Sequence, residues 1–175
     1  MKKQFLSIFG IVAIVLGISL ESRALTLNPF KRSGRVKASS LMITGNFIDS
    51  RLLAELAQYY SKQPLLVISP DVDGGHQLFF TPATKKAMAI SPDEFTDIIK
   101  YVNPKRIIVI GSDSYVPMKF VDQVRDSKDY SIITLDSDNW KQNATALGEL
   151  LKIEKLPTLF EEYKKNMFRI LGRDK

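Results

Sequence analysis

The side chains able to do chemistry fall just after apolar runs. Asn46 and Asp49 follow one run, Asp71 and Asp73 a second, Ser112 and Asp113 a third, and Asp136 and Asp138, with Asn139 beside them, a fourth. Four acidic sites on one rim could supply oxygen ligands to a hard cation such as calcium. Aspartate in loops also makes local turns and caps helices, and no EF-hand spacing is present. No metal and no cofactor are therefore expected. His76 is the one histidine of the chain. With Asp71 or Asp73 and a serine it would complete a hydrolytic triad, an arrangement defined by geometry and not by chain order.

The serine for such a triad would be Ser112 or Ser114. Gly111-Ser112-Asp113-Ser114 follows a buried strand and superficially resembles the nucleophile block of small esterases. In those enzymes the block comes on the first strand and the histidine comes late, and Gly-x-Ser-x-Gly is missing here. His76 beside Gly74-Gly75 reads more simply as a loop residue. An esterase-like hydrolase using Ser112 or Ser114 with His76 is the alternative reading, not the leading one. Phosphate binding fares no better, because Gly45-Asn-Phe-Ile-Asp has the glycine spacing of neither a dinucleotide fold nor a P-loop. Tyr115 and Trp140 could stack on a sugar, although aromatics at helical spacing are more often core.

The elements that must hold these residues can be read from periodicity. Leu41–Thr44, Leu65–Ile68, Ile107–Ile110 and Ile132–Leu135 are short, mainly apolar runs, each read as a strand. Gln77–Phe80 and Ala87–Ile90 are candidate short extra strands. Helical spacing appears from Phe47 to Tyr60, from Phe95 to Val102, after Pro117, from Asn139 to Leu151 with Asp138 as its cap, and after Pro157. Ser91-Pro92-Asp93-Glu94 is a capping box with proline in the first turn. Strands too apolar for a wet face need helices on both sides. The expected fold is a three-layer α/β sandwich around a mostly parallel, Rossmann-like sheet of about four core strands. Ligands of such sheets gather at the carboxyl ends of the strands, which makes Asn46, Asp49, Ser112, Asp113, Asp138 and Asn139 the candidate ligand-binding residues.

Lys2 and Lys3 precede an uncharged apolar run from Phe5 to Leu20, and Ser22-x-Ala24 offers small residues to a signal peptidase. The run is shorter than the roughly 20 residues that cross a bilayer comfortably, so cleavage after Ala24 is expected; if uncleaved, the segment would be the chain's membrane contact. Residues 1–24 are read as signal peptide, 25–40 as a basic linker carrying Lys31, Arg32, Arg35 and Lys37, 41–152 as the α/β domain and 153–175 as a C-terminal amphipathic helix. The signal contributes a net +2, leaving +4 of the formal +6. That excess suits weak attraction to anionic envelope polymer or lipid headgroups but falls short of a nucleic-acid binder. Without cysteine the fold rests on packing alone.

Three blocks between Ile43 and Leu151 resemble the cell-wall-binding repeat of the second type, found on surface proteins of clostridia and related bacteria. Thr44-Gly-Asn-Phe-Ile-Asp-Ser-Arg-Leu-Leu-Ala-Glu-Leu-Ala, with Gln63-Pro-Leu-Leu-Val-Ile after it, resembles the family's helix start and the proline- and leucine-rich strand that follows. Asn103-Pro-Lys-Arg-Ile-Ile-Val-Ile-Gly-Ser-Asp-Ser-Tyr-Val-Pro is similar to its most recognisable strand. Asp138-Asn-Trp-Lys-Gln-Asn-Ala stands where the family has aspartate-arginine-tyrosine-x-threonine-alanine. Ser112 replaces the family's second glycine, Asn139 its arginine and Trp140 its tyrosine, and the segment from Asp71 to Ile90 is longer than the usual connection. Family members commonly carry three copies packed as a pseudo-trimer holding anionic wall polymer, and this chain has one copy. The resemblance implies a non-catalytic exported binding domain of the cell wall, periplasm or extracellular space, with wall polymer as partner and a homotrimer as a further expectation. A protein-interaction subunit of an envelope complex is the second alternative.

Overall fold

Side chains of the central strands leave the sheet in opposite directions, as period-two geometry requires. Strand β1 (Ser40–Gly45) sends Leu41 and Ile43 into one apolar cluster and Met42 into another; β2 (Leu65–Pro70) divides Leu66 and Ile68 from Leu65 and Val67, and β5 (Arg106–Ile110) divides Ile107 and Val109 from Ile108 and Ile110. The first cluster is completed by helices α2 (Phe95–Val102) and α3 (Met118–Arg125), the second by α1 (Ile48–Ser61), α4 (Trp140–Leu151) and α5 (Leu156–Ile170). A helical layer thus covers each face, as strands with no polar side demand. The computed structural model describes residues 37–83, 85–125, 130–170 and 172. The signal segment read at 1–24 and the linker up to residue 36 lie outside the described residues. No helix of the described residues is long and apolar enough to cross a membrane.

The sheet is larger and less uniform than the expected four-stranded, mostly parallel one. Among the described residues six strands run in the order β4 (Met88–Ile90), β3 (His76–Thr81), β2, β1, β5 and β6 (Ser131–Leu135). β1, β2, β5 and β6 are the four core strands and are parallel, with Ile43 opposite Leu66 on one side and Val109 on the other. β3 and β4 extend the sheet in antiparallel fashion. The cause is loop length. A parallel return from β2 needs a crossover of a dozen residues or more, whereas the Asp71–Gly75 turn closes a hairpin through Asp71 N to Gly75 O and Gly74 N to Asp71 O. His76 is accordingly a strand residue, opposite Pro70, and not the loop residue expected.

Local chemistry fixes the helix ends. The capping box forms as read, with Ser91 N donating to Glu94 Oε2 at 2.8 Å, and it opens a 3-10 turn that leads into α2. Asn103 ends α2 in the left-handed conformation that asparagine tolerates. The cap of α4 is Asn139 and not Asp138: its side-chain oxygen accepts from Lys141 N at 3.0 Å. Two residues into the next turn, buried Asn143 accepts from Ser137 N and donates to Ser137 O, which seats the preceding loop on the helix. Pro157 sits in the first turn of α5, where its missing N–H costs nothing. Leu156 and Phe160 of α5 are fully buried with residues of α1 and α4, so this helix packs on two helices instead of lying on the sheet.

Candidate functional site

The chain leaves β1 toward β2 and leaves β5 toward β6, although β1 and β5 are neighbours. Their following helices, α1 and α3, lie in opposite clusters. This is the topological switch point, where open α/β sheets form a ligand crevice beyond the strand ends. Here the crevice is filled from within. The loop after β5 folds back through Tyr115 N and Val116 N, both donating to Ser112 O at 2.9 Å, and lays Tyr115 across the strand ends. A Cβ on Gly45 would meet the Tyr115 carbonyl oxygen at 2.0 Å, and one on Gly111 would meet the Tyr115 Cβ at 2.6 Å. Gly111 also has φ of +108°, which L side chains rarely adopt. The Tyr115 ring then meets Phe47 and Trp140 edge-on, at centroid distances of 5.2 and 5.1 Å.

That aromatic row divides the candidate residues. Asn46 lies on one side, half-buried, its Nδ2 donating to Ser69 Oγ at 3.0 Å and its Oδ1 accepting from Arg51 Nη1 at 3.0 Å. It lines a groove of about 320 Å³ between α1 and the β2–β3 ladder. Asp49, in the first turn of α1, is paired with Lys164 of α5 at 3.0 Å and acts as a strut between the helices. Ser112 and Asp113 lie on the other side and, with Arg125, Thr134 and Asp136, line a crevice of about 230 Å³ at the ends of β5 and β6. Asp138 is exposed, and Asn139 is occupied as the cap of α4. The six candidates share the carboxyl rim of the sheet without forming one crevice. Among the described residues no three His, Asp or Glu side chains converge as a metal site would require.

His76 and the two serines do not assemble. β3 and β5 are separated by β2 and β1, three strand spacings or roughly 14 Å of backbone. The His76 ring packs edge-on against Phe120 at 5.5 Å, and its Nδ1 is buried with no hydrogen-bond partner among the described residues, where a triad would place the orienting carboxylate. Burial, and to a lesser degree the charge of Lys119, holds the imidazole below its ordinary pKa. Between the lowered folded value and the unfolded value of about 6.5, the unfolded chain binds more protons, so stability declines as pH falls through that window. We expect the loss of thermal stability between about pH 7.5 and 5.5 to shrink in His76→Gln. An equal loss in both proteins would show that His76 does not carry it.

No protein-family model and no curated protein matches the chain. Among solved structures a similarity is found to Cwp6 from Clostridium difficile, with 16% sequence identity and a TM-score of 0.43, covering 68% of this chain. The chain spans 16% of the length of that one.

Residue chemistry alone passed over the groove beside Asn46, which is walled by Arg51 and Glu55 and floored by Val67, Ser69, Gln77 and Phe79. One signal for the wall was present: Arg51 and Glu55 stand four apart, on one face of a helix. The floor needed the pairing of β3 with β2, which its mixed sequence Gln77-Leu-Phe-Phe does not announce. The closing role of Tyr115 likewise had one trace, the two glycines that directly end the central strands.

Proposed function

We propose that this chain is an exported, non-catalytic, envelope-associated domain that binds anionic wall polymer. The observation that carries the reading is the closed switch point. With Tyr115 filling the crevice where a sheet of this kind encloses a small molecule, the rim presents open grooves on either side of an aromatic row. Open grooves suit an extended chain that enters and leaves, whereas an enclosed pocket suits a single small ligand. The three sequence blocks that resemble the wall-binding repeat meet at this row, contributing Phe47, Tyr115 and Trp140 in turn. The signal pattern at residues 1–24 supports export, and the basic excess supports attraction to an anionic polymer.

The test is sedimentation of purified Leu25–Lys175 with isolated cell walls. Retention is expected at low salt and release as the screening length shortens from about 10 Å at 0.1 M to about 3 Å at 1 M. Failure to sediment with walls at low salt would overturn the proposal. Sedimentation velocity on the same preparation tests the homotrimer that the resemblance implies.

A further inference from the structure

The groove between α1 and the β2–β3 ladder has a composition that specifies a ligand. Its floor is three cross-strand pairs whose side chains face the α1 side of the sheet: Leu65 with Thr81, Val67 with Phe79, and Ser69 with Gln77. On the outer side Phe79 is paired with Ala89 of β4, and Ala87 follows along the same edge. These small residues leave the Phe79 ring half-exposed. One wall is a hydrogen-bonded line of planar groups. Ser69 accepts from Asn46, Asn46 accepts from Arg51, and Arg51 Nε donates to Glu55 at 2.7 Å. The groups are pre-oriented by one another, and each keeps unused donor or acceptor capacity.

The charge in this line is balanced. Arg51 is paired with Glu55, so among the described residues that line the groove there is no unopposed cation of the kind that captures phosphate. It offers instead interspersed donors and acceptors above an apolar floor with one aromatic ring. A pyranose ring has the complementary chemistry: hydroxyls that both donate and accept around its edge, and a face of C–H groups to lie on an aromatic. We propose that this groove binds a neutral sugar ring, stacked on Phe79 and hydrogen-bonded by Asn46, Arg51, Glu55 and Gln77. The inference rests on the wall-binding reading and adds which part of the polymer is recognised: the sugar is read in the groove, and the polymer's charge acts at longer range.

Two variants test it without emptying the core. Phe79→Leu keeps apolar volume and removes the ring, and Gln77→Ala removes one exposed polar group. The probes are cellotetraose, chitotetraose and mannotetraose, with sugar-free poly(glycerol phosphate) as the anionic comparison, followed by amide chemical-shift changes in the Leu25–Lys175 protein. At least one tetrasaccharide is expected to shift amides of β3 and the first turns of α1, with affinity roughly five- to tenfold weaker in each variant. Absence of shifts with all three sugars, or shifts confined to another part of the surface, would overturn the inference. So would a dimer in sedimentation velocity that Phe79→Leu abolishes, since the occupant of the groove would then be a second copy. If walls retain both variants as well as the parent protein, the groove assignment fails while wall binding stands. If walls do not retain the parent, the wall-binding reading fails whatever the tetrasaccharides do.

Discussion

Phe160→Ala is expected to lower the unfolding free energy by about 3–5 kcal/mol, the range found when a large aromatic is removed from a packed core. Phe160 is fully buried and lies with Leu156 among side chains of α1 and α4. Its truncation opens a cavity at the junction of three helices and removes the ring that lies 5.7 Å from the Lys164 ammonium, the group paired with Asp49. Small domains are stable by only about 5–15 kcal/mol, so much of the total is at stake. Urea denaturation measures it, as a fall in midpoint with an unchanged slope. The result also decides what α5 is for. A helix that belonged to a subunit contact would leave monomer stability nearly unchanged when truncated at Phe160. A change below about 1 kcal/mol, well under the usual range for such a truncation, would put α5 outside the folding unit.

The parallel strands and the helices around them were legible because β1, β2 and β5 are buried on both faces, and such strands announce themselves as near-continuous apolar runs. β6, a half-exposed edge strand, keeps enough of the same pattern in Ile132, Ile133 and Leu135. Ile107 to Ile110 is the clearest case, buried throughout. The β3–β4 extension was harder to read because its residues divide between a core side and an open side. Leu78 and Phe80 are buried, Phe79 is half-exposed and Gln77 exposed, so composition over four residues cannot fix the register. Once the hairpin closes at Asp71 and Gly75, that register follows, and with it the groove. The cap of α4 shows a finer limit. Asp138 and Asn139 are both good capping residues, and the bonds that tie Ser137 to Asn139, Gln142 and Asn143 seat the loop so that Asn139 stands at the first turn.

The candidate site was legible as a rim and not as a site. Each acidic or amide residue was placed after the correct strand, yet what those residues do depends on partners distant in sequence. Asp49 is tied to Lys164, 115 residues away, and no local pattern could show that its carboxylate is committed to holding α5. The serine and histidine of the hydrolytic alternative share the rim too, but strand order separates them. Chain order cannot supply strand order here, because β5 lies next to β1 and not next to β4.

Gly45→Ala is expected to be among the most damaging small substitutions in the chain, lowering stability by about 3 kcal/mol, the upper part of the usual overpacking range. The new Cβ would meet the Tyr115 carbonyl oxygen at 2.0 Å and the carbonyl carbon at 2.8 Å. Backbone cannot rotate aside as a flexible side chain can, so either the end of β1 or the whole Tyr115 turn must move. Two comparisons separate this cause from a general intolerance. Tyr115→Ala should not rescue Gly45→Ala, because the opposing atoms belong to the main chain and survive the truncation. Gly111→Ala meets the Tyr115 side chain instead, with Cβ at 2.6 Å and Cγ at 3.0 Å. Tyr115→Gly should therefore recover part of its loss, with the strain of a positive φ remaining. Thermal midpoints of the single and paired variants give the coupling directly. Rescue of Gly45→Ala by Tyr115→Ala would mean that the ring, not the turn, presses on β1. Non-additivity in the stated pattern would show that the crevice at the switch point is closed by the Tyr115 turn itself. A ligand would then have to bind on the open flanks of the rim, which is the condition on which the wall-binding reading depends.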